Sequence, residues 1–103
     1  MHTCDRRSPR AWIEKNHPAF LIDDGFTEED TIWKPGVRET YDEHVKRTTE
    51  LLDDIFENES STFISATTHS GAIMSIFRVT GYQEIPVAAG AIFPLLVKAE
   101  RVI

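Results

Sequence analysis

The sequence predicts part of an α/β domain with a mostly parallel sheet. The segment 62–67 is short, apolar and rich in β-branched residues, as in a strand buried on both faces, and the run 92–102 is predicted as another strand. A helical pattern lies between them, so residues 61–103 are predicted as strand, helix, strand, a crossover unit whose strands run parallel. Two parallel strands need cover on both faces and both edges, so we expect an incomplete portion of a larger sheet.

Residues 1–60 are polar and predicted to be mostly helical. A first helix should run from about Pro9 to Asn16, with Ser8 as its N-cap and proline at the first helical position. A second helix should run from Thr27 to about Trp33, because the acidic residues after the threonine complement a helix dipole.

The longest predicted helix runs from Tyr41 to Asn58. Thr40 is its expected N-cap, and Glu43 completes a capping box three residues later. Apolar side chains recur at helical spacing on one face. The members of this face are Val45, Thr48, Leu51, Leu52, Ile55 and Phe56. A further helix is predicted over 71–79 and should stop at Gly81.

Composition excludes several classes of protein. The chain has 103 residues, which allows one domain at most. Its net charge of −6 argues against nucleic-acid binding and against docking on an anionic membrane. A single cysteine, Cys4, cannot form an internal disulfide, and no apolar run reaches the ~20 residues that span a bilayer. We expect a protein of the cytoplasm, with the nucleus as the other location.

A phosphate-type anion site is predicted where the first strand gives way to a helix. The first amides of a helix lack internal partners, and the dipole adds partial positive charge. His69 can add a hydrogen bond or a charge, while Thr68 and Ser70 offer hydroxyls and Gly71 allows close backbone approach. The alternative is that His69 is a surface residue with no ligand.

Four segments carry a family resemblance. FISATTHSGAI at 63–73 resembles the second-histidine motif of the histidine phosphatase superfamily, the phosphoglycerate-mutase-like proteins, and VAAGAIFPLLVKAE at 87–100 resembles the closing strand of that fold. HTCDRRS at 2–8 and GFTEED at 25–30, with Trp33, are similar to the fungal phosphomutase-like branch. The resemblance implies a three-layer αβα sandwich of which residues 1–103 are the C-terminal portion of a single domain.

The resemblance also implies a mechanism. A histidine in an Arg-His-Gly motif attacks the phosphoryl group, a second histidine and arginines hold its oxygens, and a carboxylic acid serves the leaving oxygen. His69 matches the second histidine, whereas no Arg-His-Gly occurs in the chain. The nucleophile and the acid are expected upstream of Met1, so we expect a truncated gene model, a fragment or a degenerate copy, which is inactive alone.

Other polar residues are weaker candidates. Arg6 and Arg7 either contact a substrate phosphate or form a solvated pair before a helix. Glu39 and Glu43 fit capping and solvation better than a replacement acid. No cluster has metal-ligand spacing, and the family chemistry requires no metal or cofactor. The expected partner is a small phosphorylated substrate or phosphate, and an exposed sheet edge should favour self-association. Substrate, and mutase against phosphatase, stay open.

Overall fold

The structure is a computed structural model that describes residues 5–102. The chain divides into two compact units, Met1–Glu39 and Thr40–Ile103. Its helices are α1 (Arg10–Asn16), α2 (Tyr41–Asn58) and α3 (Ser70–Thr80). No β-strand occurs in the described part of the chain. The predicted α/β fold, a three-layer αβα sandwich with a mostly parallel sheet, is therefore wrong for this structure, which is helical.

Helix α1, in the first unit, begins one residue later than predicted. Pro9, rather than Ser8, is its N-cap, and no side chain caps its first amides. The helix ends at Asn16, where the His17 backbone N–H donates to Ile13 O at 2.8 Å. The predicted first helix is confirmed. Pro9 favours its start, and Pro18 prevents the helix from continuing.

The helix predicted over 27–33 is absent, and that prediction is wrong. The Arg7 guanidinium takes the carbonyls that a first helical turn would use. It donates to the backbone oxygens of Thr27 at 2.7 Å, Glu28 at 3.3 Å and Glu29 at 2.9 Å. The Asp30 carboxylate accepts from the second and third amides after it, both at 3.0 Å. Side chains, Arg7 from about 20 positions away and Asp30 from within the segment, thus bond backbone groups that a helix would use.

Helix α2, in the second unit, has the predicted bounds and the predicted capping box. Thr40 Oγ1 accepts from the Glu43 backbone N–H at 3.2 Å, and Glu43 Oε2 accepts from the Thr40 N–H at 3.0 Å. Helix α3 also follows the prediction, with one more residue at each end. It stops at Gly81, whose φ of 76° lies in the left-handed region.

The second unit is held together where α3 packs on α2. His44 Nδ1 and Ser75 Oγ lie 2.6 Å apart, and Ser75 is fully buried. Phe77 is only 1% exposed, and its ring contacts Tyr82 and Phe93 with centroid separations of 5.2 and 4.9 Å. These aromatic edge and tilted contacts form the small core of the unit.

Both predicted strands, 62–67 and 92–102, are wrong as secondary structure. Phe63 and Ile92 are each 93% exposed, although buried strands were expected. A strand needs a neighbouring backbone to bond and packing on its faces, and the described residues pair neither segment with another. The two apolar segments are therefore not part of a sheet in the described structure. Across residues 5–102, no helix is both long and apolar enough to cross a bilayer.

Candidate functional site

His69 is the N-cap of α3. Its backbone is extended, with φ −85° and ψ 161°, and its carbonyl accepts from the Ile73 N–H at 3.1 Å as the first bond of the helix. Its side chain makes no capping bond, and the residue is exposed to solvent. The imidazole therefore leaves the first amides of the helix uncapped.

The starts of α2 and α3 differ in charge and capping. The first turn of α2 contains two acidic residues, Asp42 and Glu43, and Thr40 Oγ1 caps it. The first turn of α3 contains no acidic residue and has no side-chain cap. An anion at α3 would meet the positive end of the dipole without carboxylate repulsion, whereas α2 already carries its own anions.

The other predicted site residues follow directly along the chain. Thr68 precedes the N-cap, Ser70 begins α3 and Gly71 is second in the helix; all three are exposed. A Cβ added at Gly71 would meet nothing within 4 Å. Adjacency in sequence brings the four residues together, and they offer backbone amides, two hydroxyls and one imidazole to a ligand from solvent.

Arg6 and Arg7 belong to the first unit, and their side chains have partners there. Arg7 bonds the 27–29 carbonyls and lies over the Phe26 ring, with its Cζ 3.9 Å from the centroid. Arg6 makes a 3.8 Å ion pair with Glu29 and lies over Trp33 at 5.2 Å. Arg7 is thus built into the local structure, and Arg6 keeps half of its side chain exposed.

Two polar clusters escaped the sequence reasoning. In the first unit, the Trp33 amide, followed by those of Arg7 and Ile32, holds the pKa of Asp30 below its ordinary value despite some opposing burial. In the second unit, Tyr41 donates to Glu84, and this bond raises the tyrosine pKa.

Arg78 joins the second cluster. Its Cζ lies 5.2 Å from the Tyr41 ring centroid, and its guanidinium is 3.9 Å from Asp42 Oδ1. Arg78 also lies in the last turn of α3, where its charge complements the dipole of its own helix. Only the packing of α3 on α2 reveals its partners, because they lie more than 30 positions away in sequence. Within residues 5–102, no three His, Cys, Asp or Glu side chains are grouped to hold a metal ion.

Comparison with known proteins shows the family. The chain is 47% identical to a probable phosphoglycerate mutase of Arthroderma benhamiae, over 97% of the chain and 30% of the relative. It is 34% identical to phosphomutase-like protein 3 of Candida albicans, over 93% of the chain and 31% of the relative. A probable phosphoglycerate mutase of Saccharomyces cerevisiae is 37% identical, over 75% of the chain and 30% of the relative.

These likenesses cover nearly all of the chain, so it belongs to the phosphoglycerate-mutase-like family, in the histidine-phosphatase-like branch that includes these fungal proteins. The chain spans about 30% of the length of the curated relatives it matches. No family model matches it, and no solved structure does.

Proposed function

We propose that this chain provides the phosphate-recognising region of a phosphoglycerate-mutase-like protein, with His69 contacting the phosphoryl group. The observation that supports the proposal is the start of α3, where an exposed histidine is the N-cap, the first amides have no side-chain cap and the first turn has no acidic residue. A protonated His69 would add charge to hydrogen bonding, and Thr68 and Ser70 would donate their hydroxyls.

In a complete family domain, the proposed reaction is hydrolysis or transfer of a phosphomonoester through a phosphohistidine. The family resemblance implies that an Arg-His-Gly histidine is the nucleophile, and this chain has no such triplet. His69 would then stabilise the oxygens of the transferring group rather than attack it. The substrate would be a small phosphorylated molecule in the cytoplasm. We propose that the 103-residue chain is inactive by itself.

Titration with inorganic phosphate at constant ionic strength tests the anion site. Amide resonances of His69 to Gly71 should shift saturably at millimolar phosphate. The amides of Tyr41 and Asp42 serve as an internal control, because the start of α2 is capped and acidic. A His69→Ala variant should weaken binding severalfold, because the imidazole hydrogen bond to the anion is lost. Unshifted α3 amides at 20 mM phosphate, roughly the concentration that saturates a weak anion site, would refute the assignment.

Turnover is measured on the same protein with a chromogenic phosphomonoester. We expect a rate indistinguishable from that of His69→Ala, since neither protein holds the Arg-His-Gly nucleophile. Hydrolysis that is robust and depends on His69 would contradict this expectation and would make this histidine a nucleophile.

A non-catalytic role is the second candidate. It is favoured by the combination of an open helix start with the lack of an Arg-His-Gly triplet. In that case the chain is a remnant that binds phosphate weakly or serves as an interaction module. Phosphate binding without turnover in a full-length relative carrying this sequence would favour that role, whereas restored turnover there would favour the enzyme.

A further inference from the structure

The contact between α2 and α3 contains a buried polar pair. His44 Nδ1 and Ser75 Oγ are 2.6 Å apart, which is hydrogen-bond distance. Ser75 is 0% exposed, and His44 is half-buried. Because the second unit itself buries this serine, the contact does not depend on any chain outside the unit.

A serine hydroxyl at this distance from an imidazole is also the arrangement of an activated nucleophile. Ser75 does not fit that role, because a nucleophilic oxygen has to reach its substrate and this residue has no surface open to solvent. The pair is therefore a polar contact between two helices. Its partners are worth keeping together, because a buried hydroxyl or ring nitrogen that loses its hydrogen bond is destabilising.

The pair lies close to the start of α3. Ser75 is the sixth residue of the helix, so it lies about 7.5 Å along the axis from Ser70, at a rise of 1.5 Å per residue. A hydrogen-bonded helix of this length moves as one body, so a shift at Ser75 also moves the first amides. Thr68 and His69 belong to the segment that leads into the helix from α2, and their placement against those amides therefore depends on where α3 lies.

A hydrogen bond restricts the packing of these helices more than their apolar contacts do. The burial of Phe77 stabilises the unit, but the hydrophobic effect has no preferred direction. A hydrogen bond weakens steeply when its distance or angle departs from the ideal. A buried polar pair that is satisfied therefore specifies one arrangement of the surrounding core. Sliding or rotating α3 on α2 would separate Ser75 from His44.

We propose that His44 and Ser75 are positioning residues for the anion site at the start of α3. Their hydrogen bond fixes the rotation and the axial position of α3 on α2, and so holds the first amides where Thr68 and His69 can act with them on one phosphate. Ser75 acts through the helix, because it is buried and does not contact the ligand. The inference rests on the proposed recognition of phosphate by His69.

Titration of the whole chain with inorganic phosphate, followed by the amide resonances of His69 to Gly71, tests the proposal. Ser75→Ala removes the hydroxyl and should weaken phosphate binding by roughly fivefold, as for coupling between separate positions. His44→Leu should weaken it similarly, and the double variant should lose no more, because the same hydrogen bond is already broken. His44→Asn should bind like the parent, because its side-chain amide can donate or accept close to the position of Nδ1.

Two further variants separate positioning from stability. Thr80→Val removes a hydroxyl of α3 that donates to Ile76 O of the same helix at 2.8 Å, so phosphate affinity should not change. Phe93→Leu loses the ring contact with Phe77, whose centroid is 4.9 Å away, and should lower the urea midpoint of unfolding. Its affinity for phosphate should nevertheless match the parent under conditions where circular dichroism shows the variant to be folded.

The possible outcomes distinguish the positioning role from the anion site itself. A Ser75→Ala variant that binds phosphate like the parent would overturn the positioning role and leave the anion site intact. Equal losses of affinity in Phe93→Leu and Ser75→Ala would also overturn it, because affinity would then follow stability alone. A parent chain whose His69 to Gly71 amides do not shift would refute the anion site, and this inference with it.

Discussion

Arg7 shows how one side chain decides the structure of a distant loop. Its planar guanidinium reaches three successive carbonyls in residues 27–29 and the Thr27 hydroxyl, and it stacks on Phe26. A fork of fixed donors suits a row of carbonyl oxygens, which an ammonium group does not match. The structure shows the Arg7 guanidinium held by this loop, and the substrate contact considered from sequence stays a prediction.

Replacing Arg7 with lysine should lower the free energy of unfolding of the first unit by about 1–2 kcal/mol, because several bonds and the stacking are lost together. Urea unfolding followed by tryptophan emission measures the loss, since both tryptophans, Trp12 and Trp33, lie in this unit. Arg6→Lys is the matched control and should cost less than about 0.5 kcal/mol, as for an exposed ion pair. Equal losses in the two variants would contradict the role given to Arg7.

The candidate anion site is also a feature of single residues. Sequence placed His69 at the start of a helix, and the structure puts it at the N-cap of α3. Thr68, Ser70 and Gly71 could be named because they are its neighbours along the chain. The hydrogen-bond partners of Arg7 could not be predicted from sequence, since they lie about 20 positions away.

At the scale of elements, helices follow local signals. The capping box of α2 joins residues three apart, and the end of α3 depends on one glycine. Such signals act within a few residues and need no tertiary partner. The 27–33 segment also has local helix signals, but the Arg7 guanidinium bonds the backbone carbonyls that a helix there would use. The predicted helix does not form there, because a long-range contact outweighs the local helix propensity.

Two glycines, one in the first turn of α3 and one at its C-cap, should respond in opposite ways to replacement by alanine. Gly81→Ala should cost about 1 kcal/mol, because a φ of 76° is unfavourable for a side chain. Gly71→Ala should instead stabilise by up to about 0.5 kcal/mol, since the site is helical and a Cβ there meets nothing within 4 Å. Urea unfolding followed by helical circular dichroism compares them. A stabilising Gly81→Ala would refute the left-handed cap.

At the scale of the whole molecule, the two units have separate ionisable clusters. Asp30 belongs to the first unit and Tyr41 to the second. The pKa of Asp30 is lowered by amide hydrogen bonds, so its carboxylate stabilises the folded unit above the unfolded pKa near 3.8. The pKa of Tyr41 is raised by its bond to Glu84, so its protonated form contributes below about pH 10.

The two units should therefore lose stability at opposite ends of the pH scale. As pH falls through the folded pKa of Asp30, below 3.8, the first unit should lose the carboxylate contribution, seen as a lower urea midpoint by tryptophan emission. As pH rises above 10.0 through the folded pKa of Tyr41, the helical signal should become less resistant to urea. Asp30→Asn should flatten the acid response and Tyr41→Phe the alkaline one. Unchanged pH profiles in these variants would count against both assignments.

The sequence by itself determined α1, α2, α3, the capping box at Thr40 and the position of His69 at a helix start, because all of these depend on residues within a few positions of one another. Tertiary structure alone decided that 27–33 is not a helix and that 62–67 and 92–102 are not strands. A strand exists only when another backbone accepts and donates its hydrogen bonds. Apolar, β-branched composition reports the surroundings that a segment suits, and the described chain does not provide them.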